Sequence, residues 1–166
     1  KRGTIFDRNL REMAVSIDVT SIAAHPPQIK HPKRAAKLLS KALNIDRKVL
    51  FKKLNAKKKF VWLKRKVTPK EAEAVKQLNI DGLDFIPEHK RFYPNKTLAA
   101  QLIGFTDIDD HGLEGIEFKY DNDLSGEEFQ YTVLRDAHGR GFEAENMTGL
   151  SSSGKNLVLT IDGTIQ

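Results

Sequence analysis

The chain has 166 residues, 39% of them hydrophobic, which suffices for one sizeable core or for two small ones. It contains no cysteine, and this excludes a disulfide framework and any cysteine-ligated metal site. No run of about 18 apolar residues occurs, so the sequence predicts no transmembrane helix. We expect the chain to be a piece of a longer protein.

The net charge of +6 is distributed very unevenly. Residues 30–70 contain 16 Lys or Arg and a single acid, Asp46, which gives +15, whereas the remainder of the chain carries −9. A split this large predicts a distinct basic lobe. Such a lobe would attract nucleic acid, anionic lipid or an acidic partner.

The N-terminal segments predict extended structure. RGTIFDRN (2–9) is typical of a short extended piece that ends in a polar turn, and MAVSIDV (13–19) is rich in β-branched residues, as strands are. HPPQIKHP (25–32) is a loop broken by prolines.

The basic lobe begins with two predicted helices. Pro32 can open the first, whose apolar stripe has helical spacing and consists of Ala35, Ala36, Leu38, Leu39, Ala42 and Leu43. Asp46 is the expected N-cap of the second. KKFVWLKRKV (58–67) then predicts a strand with Phe60, Trp62 and Lys64 on one face.

A further helix is predicted from Thr68, because Thr68-Pro69-Lys70-Glu71 has the composition of a capping box. It should run to about residue 78, and LDFIPEHKRFYP (83–94) should be extended again, interrupted at Pro87. Later, LEGIEFKY (113–120) predicts a short helix with Glu114 and Glu117 on one face.

The remaining segments predict strands at 127–134 and 156–162, with a hairpin turn within 138–145. The fold class is therefore α+β. Residues 1–29 and 90–166 should form a strand-rich base, and residues 30–89 an inserted basic helix–helix–strand–helix–strand lobe.

The stretch GLSSSGKN (149–156) nearly matches two catalytic signatures. Ser152 to Lys155 fits the S-x-x-K nucleophile motif, and Gly149 to Lys155 fits part of a phosphate-binding loop. The first needs a helix that Gly154 disfavours by roughly 1 kcal/mol, and the second needs a following helix where a strand is predicted. Asn156 also replaces the hydroxyl residue that would bind magnesium. We interpret the stretch as a linker of small residues, not as a catalytic site.

No metal site or cofactor is predicted, because the five histidines (25, 31, 89, 111 and 138) lack ligand spacing. Glu114 and Glu117 form a candidate acid pair, although two such carboxylates are more often solvated or paired with arginine.

Five motifs in order nevertheless resemble one family, the class B penicillin-binding proteins. RGTIFDRN (2–9) resembles their RG-x-I-x-DR-N opening, and RFYP (91–94) their R-x-YP element. The segment 98–105 is similar to the one that follows it. Residues 112–126 match the G-x-EG-x-E, YD and L-x-G block, and 154–166 look like the family's G-x-x-V-x-LTID-x-x-IQ junction. Residues 61–78 look more like the division-type subgroup, and Leu10 stands where the family usually has Gly.

The resemblance implies the non-catalytic N-terminal pedestal or dimerisation domain of a peptidoglycan D,D-transpeptidase, on the extracytoplasmic side of the bacterial inner membrane. It would position its own transpeptidase domain and contact a membrane-embedded glycan polymerase and other division proteins. A homodimer and contact with the membrane surface are compatible with it, and nucleic acid is not expected. The structural residues it implies are Arg2, Gly3, Asp7, Arg8, Asn9, Arg91, Tyr93, Pro94, Gly104, Gly112, Glu114, Gly115, Glu117, Leu124 and Gly126.

Arginine holds two carboxylate oxygens in a fixed geometry, so we expect arginine–carboxylate pairs among these residues. The candidates are Arg2, Arg8 and Arg91 with Asp7, Glu114 and Glu117. The glycines 104, 112 and 115 should serve turns or close backbone contacts. The alternative function is a basic nucleic-acid-binding domain, although Phe51, Phe60 and Trp62 suit a core as well as base stacking.

Overall fold

The computed structural model describes residues 1–94, 100–126, 134–135, 141–142 and 153–162. The chain divides into two compact units, which we call the base unit (Lys1–Ser16 with Arg91–Gln166) and the inserted unit (Ile17–Lys90). The chain leaves the base unit between Ser16 and Ile17, within a long strand, whereas the sequence placed this boundary after residue 29.

The inserted unit follows the predicted order of elements. After β2 (Glu12–Ala24) and a 3₁₀ turn (Pro26–Gln28) come α1 (Pro32–Leu43), α2 (Arg47–Leu54), β3 (Val61–Val67), α3 (Pro69–Lys76) and β4 (Leu83–Phe92). β3 pairs antiparallel with β2, and β4 also pairs with β2. The helix–helix–strand–helix–strand prediction is thus confirmed.

Local chemistry accounts for the helix boundaries in this unit. The Asp46 carboxylate accepts hydrogen bonds from the backbone N–H groups of Lys48 and Val49, at 2.8 and 3.2 Å, and so caps α2. Thr68 and Glu71 form the predicted reciprocal capping box at the start of α3. Asn44 ends α1 in the left-handed conformation, which asparagine tolerates well.

The core of the inserted unit is apolar. α1 buries the predicted stripe through Ala35, Ala36, Leu39 and Leu43. The other buried members are Ile22, Ala24, Ile29, Leu50, Leu54, Leu63, Val67, Ala72 and Val75. Burying one such Leu or Val stabilises the fold by roughly 1.5–3 kcal/mol, so this unit depends on the hydrophobic effect.

The two strand predictions have different outcomes. Phe60 and Trp62 lie on one face as predicted, with their rings edge to face and the centroids 5.1 Å apart, while the buried side chains of β3 are Leu63 and Val67. The pairing of β2 with β3 is irregular, because it shifts register twice and Lys66 has a φ of 50°. Pro87 does not interrupt β4, which runs through it with the proline ring exposed.

The base unit combines distant parts of the chain. β1 (Ile5–Phe6) pairs antiparallel with β2 and parallel with β7 (Leu157–Val158). The other elements are α4 (Ala100–Ile103), α5 (Gly115–Lys119), α6 (Asp121–Leu124) and an antiparallel pair, β5 (Leu134–Arg135) with β6 (Gly141–Phe142). The predicted strand 127–134 lies outside the described residues except for its last position.

A small apolar core holds this unit together, formed by Ile5, Met13, Ala14, Ile103 and Leu124. Helices and sheet occur together in the chain, and the predicted α+β class is confirmed. No helix in the described part of the chain is both long and apolar enough to cross a bilayer.

Candidate functional site

The centre of the base unit is a buried carboxylate held between two arginines. Arg2 Nε donates to Glu117 Oε2 and Arg91 Nε donates to Glu117 Oε1, and each donor–acceptor distance is 2.7 Å. The three side chains are at most 3% exposed. Arg2 lies just before β1, Arg91 at the end of β4 and Glu117 in α5, so the contact joins three distant segments.

The rest of the Arg2 guanidinium binds the segment around Glu117. Its Nη1 donates to Asp121 Oδ1 at 2.6 Å and to the Asp110 carbonyl at 3.0 Å, and its Nη2 donates to the Glu117 carbonyl at 2.8 Å. Burial opposes ionisation of Asp121, but hydrogen bonds from the Gly112 N–H and from Arg2 outweigh it and hold the pKa of Asp121 below its ordinary value.

Arg91 binds the opposite side of the cluster. Its Nη1 donates to the Gly3 carbonyl at 2.7 Å and to Ser16 Oγ at 3.1 Å. The Tyr93 hydroxyl lies 3.4 Å from Glu117 Oε1. Burial, together with the negative charge of Glu117, raises the pKa of Tyr93 to about 12.

The cluster of Arg2, Arg91, Glu117 and Asp121 is formally neutral. Removing one member of such a buried group leaves an uncompensated charge and costs about 3–5 kcal/mol. The same group contributes less relative to an apolar core, because burying charges carries its own desolvation penalty. What the cluster provides is geometry, since each arginine bond has a fixed direction.

Two glycines allow the backbone to pack tightly around this cluster. A Cβ on Gly112 would lie 2.0 Å from the Glu117 carbonyl oxygen, and one on Gly104 would lie 1.9 Å from that of Glu114. Gly104 also has a φ of 76°, in the left-handed region that favours glycine. Any side chain at either position would displace the turn that leads into α5.

A polar turn follows β1. Asp7 is fully buried, and its Oδ1 accepts hydrogen bonds from the N–H groups of Asn9 and Arg11, each at 2.8 Å. Leu10 adopts a φ of 59° with its side chain 67% exposed. The turn therefore has the backbone conformation that suits glycine, although leucine occupies the position.

The other residues implied by the resemblance lie around the cluster or at the surface. Glu114 is the exposed, extended N-cap of α5, so it does not share a helical face with Glu117. Arg8 is exposed and forms no side-chain hydrogen bond or ion pair within the described ranges. Asn9 and Pro94 are exposed, Gly126 is half-buried, Gly115 has a φ of 60°, Leu124 is buried, and the Gly3 N–H donates to the Leu124 carbonyl at 2.8 Å.

Sequence reasoning missed two residues that accept hydrogen bonds from the arginines of the cluster, Asp121 and Ser16. Asp121 stood in the Tyr120-Asp121 motif, but that motif gave no reason to pair it with Arg2. Ser16 carries no signal of its own, because its role depends on where β2 places it beside Arg91.

The serine-rich stretch has no catalytic arrangement in its described part. Residues 153–156 are not helical and lead into β7, while Ser152 lies outside the described residues. Lys155 Nζ bonds to Asp123 Oδ1 at 2.9 Å, and Asn156 Oδ1 accepts from the Thr4 N–H at 2.7 Å. Within the described ranges, no group of three His, Asp or Glu side chains could hold a metal ion.

Comparison with known proteins gives one consistent result. The model of the penicillin-binding protein dimerisation domain matches residues 1–159. The chain is 39% identical over 170 residues to a probable peptidoglycan D,D-transpeptidase, PenA, of Neisseria meningitidis serogroup A. It is 37% identical over 172 residues to the peptidoglycan D,D-transpeptidase FtsI of Escherichia coli K12. Both matches cover 99% of the chain but only 29% of the relative.

A solved structure has the same fold. The complex between the penicillin-binding protein PBP2 and MreC from Helicobacter pylori contains a chain that matches with a TM-score of 0.71 at 19% identity. The match covers 99% of this chain and 35% of that one.

Proposed function

The chain belongs to the penicillin-binding protein dimerisation domain family, and from this premise we propose that it is the non-catalytic, positioning module of a peptidoglycan D,D-transpeptidase. The bond-making step of the parent protein then belongs to a separate transpeptidase domain. The relatives support this assignment, because they are transpeptidases more than three times as long as the region they share with this chain.

The observation that carries the proposal is the Arg2–Glu117–Arg91 cluster. Arg2 and Glu117 are 115 positions apart, and Arg91 and Gly3 are 88 positions apart, yet all are joined by directional bonds in a buried site. Such a cluster fixes the relative positions of the segments it joins. A module that holds a catalytic domain in place requires this rigidity, whereas it requires no reactive group.

The serine-rich stretch gives further support for a non-catalytic role. An S-x-x-K nucleophile works when a helix places the lysine amine within reach of the serine hydroxyl. Here Lys155 is engaged with Asp123, and the residues just before it are not helical.

We extend the proposal to partners and location. The family is named for dimerisation, and the Helicobacter pylori relative was solved with MreC, so protein contacts are expected of this chain as well. We assign it to the extracytoplasmic face of the bacterial inner membrane, in cell-wall synthesis during division, beside a membrane-embedded glycan polymerase. The alternative of nucleic-acid binding receives no support from the family match.

The test is covalent labelling with a fluorescent penicillin. The 166-residue chain, shown to be folded by circular dichroism, should take up no label, while full-length Escherichia coli FtsI serves as the positive control. A longer form of this protein that includes its own transpeptidase domain should react. Stable labelling of the 166-residue chain itself would overturn the proposal.

A further inference from the structure

The exposed side of α1 and α2 carries positive charge that has no role in the fold. We call it the cationic face, and it consists of Lys33, Arg34, Lys37, Lys41, Arg47, Lys48 and Lys52, all exposed. None of these side chains forms an ion pair or hydrogen bond with any residue that the structure describes. The nearby acid, Asp46, is occupied as the cap of α2.

Other cations of the same unit do contribute to the fold. Lys53 Nζ donates to the carbonyls of Trp62 and Leu63 at 2.8 and 3.0 Å. Lys64 Nζ bonds to Glu71 at 2.6 Å, and Arg65 pairs with Glu88. The unit therefore has two populations of cations, and only one of them is neutralised or bonded.

The spacing of the cationic face opposes helix stability. Lys33, Lys37 and Lys41 follow one another at intervals of four, as do Lys48 and Lys52, and like charges at this interval destabilise a helix. Folding alone therefore gives no reason for this pattern, whereas an anionic partner would relieve the repulsion.

A concave site lies at one end of this face. An open groove of about 520 Å³ is lined by Lys30, His31, Pro32, Lys33, Arg34, Phe51 and Asn55. Its volume falls in the range of ordinary ligand sites. Pro32 and the half-buried Phe51 supply apolar surface, and Lys33 and Arg34 supply positive charge. Lys30 adds a third cation, which lies 3.8 Å from Asp81 in an exposed ion pair.

We propose that this groove docks an acidic peptide segment of a partner protein. An aromatic or large aliphatic side chain of the peptide packs on Pro32 and Phe51, and flanking carboxylates meet Lys30, Lys33 and Arg34. The remaining cations of the face speed the encounter through long-range attraction. This docking is independent of whether the chain or its parent reacts with penicillin.

The groove fits a peptide better than a bilayer or a nucleic acid. Binding in a membrane interface needs several apolar side chains that insert into the lipid. Val49, at 48% exposure, is the only exposed large apolar residue on α1 and α2. Single-stranded nucleic acid needs successive aromatic faces for the stacking of bases, whereas the groove lining contains a single Phe, Phe51, and no Tyr or Trp.

The test measures fluorescence anisotropy with the 166-residue chain and a labelled peptide of six Glu and two Phe. The control peptide has Ser in place of both Phe. At about 0.15 M salt we expect the Phe peptide to bind at least roughly 10-fold more tightly than the control. Equal binding of the two peptides, or no binding of the Phe peptide below about 1 mM, would overturn the proposal.

Two matched variants locate the site. Lys33→Glu with Arg34→Glu alters the groove, whereas Lys48→Glu with Lys52→Glu alters the same face outside it by the same net charge. We expect the first to weaken binding about 10-fold or more and the second by less than about 3-fold, since a rim charge contributes only a fraction of a kcal/mol. Equal losses of binding in the two variants would indicate diffuse electrostatic attraction, and the groove would not be the binding site.

Two further measurements complete the test. In NMR titrations of the unmodified chain, the largest shifts should fall on residues 30–34 and Phe51, and shifts centred elsewhere would contradict the proposal without requiring any variant. Tighter binding to phosphatidylglycerol vesicles or to an oligodeoxythymidine than to the Phe peptide would replace the peptide assignment with a lipid or nucleic-acid one.

Discussion

In the base unit, the charged side chains Arg2, Arg91 and Glu117 are among the most buried, at 6% exposure or less. In the inserted unit the fully buried positions are almost all apolar, and the lysines of α1 and α2 are mostly exposed. The base unit therefore combines a small apolar core with directional bonds around a single carboxylate, whereas the inserted unit depends on an amphipathic helix–sheet core. This difference predicts which kind of substitution each unit tolerates.

The largest effect should come from Glu117→Gln in the base unit. The substitution keeps the shape but removes the negative charge, so Arg2 and Arg91 are left buried with only Asp121 as a counter-charge. We expect a loss of about 3–5 kcal/mol in the free energy of unfolding, measured by urea denaturation with circular dichroism.

The matched control is Glu114→Gln, three positions earlier. This side chain is exposed and makes no capping bond, so the substitution should change stability by less than about 0.5 kcal/mol. Arg2→Ala and Arg8→Ala form a second such pair, buried against exposed. If Glu117→Gln and Glu114→Gln melted alike, the buried cluster would not determine the stability of this unit.

The inserted unit should be most sensitive to loss of apolar volume. Leu39 in α1 is fully buried, and Leu39→Ala should cost about 2–5 kcal/mol because it removes packing and leaves a cavity. The fluorescence of Trp62, the chain's single tryptophan, reports on this unit directly. Lys37→Ala, on the exposed side of the same helix, should be nearly neutral or slightly stabilising, and a large loss there would contradict the separation of the two lysine populations.

A smaller and local effect is expected at the start of α3. Thr68→Ala removes the acceptor for the Glu71 N–H and should cost about 1 kcal/mol. Ser40→Ala is the control, because its hydroxyl only donates to the Lys37 carbonyl within α1. Hydrogen exchange of the first-turn amides of α3 should rise in Thr68→Ala, and unchanged protection would mean that the capping box is not what fixes this helix start.

The same comparison explains what could be predicted from the sequence. The helix starts at Asp46 and Thr68 and the apolar stripe of α1 follow from residues close together in the chain, so the pattern contains them. The register shifts of β3 against β2 were not predicted, because they depend on a partner strand whose paired residues are 37–47 positions away. Sequence periodicity carries no record of a bulge.

The cluster in the base unit was predictable in kind but not in detail. Arginines paired with carboxylates were expected at the right motifs. The choice between Glu114 and Glu117 depended on where α5 begins, and a boundary at Gly115 leaves Glu114 extended and exposed. Asp121 and Ser16 join through contacts over 119 and 75 positions, which a single sequence does not reveal.

The smallest expected effect concerns the ionisation of Tyr93 at alkaline pH. The folded pKa, about 12, lies above the ordinary value of 10, so the folded state retains the phenolic proton after the unfolded chain has lost it. The contribution of Tyr93 to stability is therefore complete below about pH 10 and is lost as the pH rises toward 12. Tyr93→Phe should make stability fall less steeply over this range and remove the tyrosinate absorbance that appears last in a titration at 295 nm. Tyr120→Phe, at a residue that is 37% exposed, is the matched control for the removal of a phenol hydroxyl. If Tyr93→Phe instead removed an early component, neither burial nor Glu117 would raise the pKa of Tyr93. The directional bonds assigned to the base unit would then be those of Arg2 and Arg91, without the Tyr93 hydroxyl.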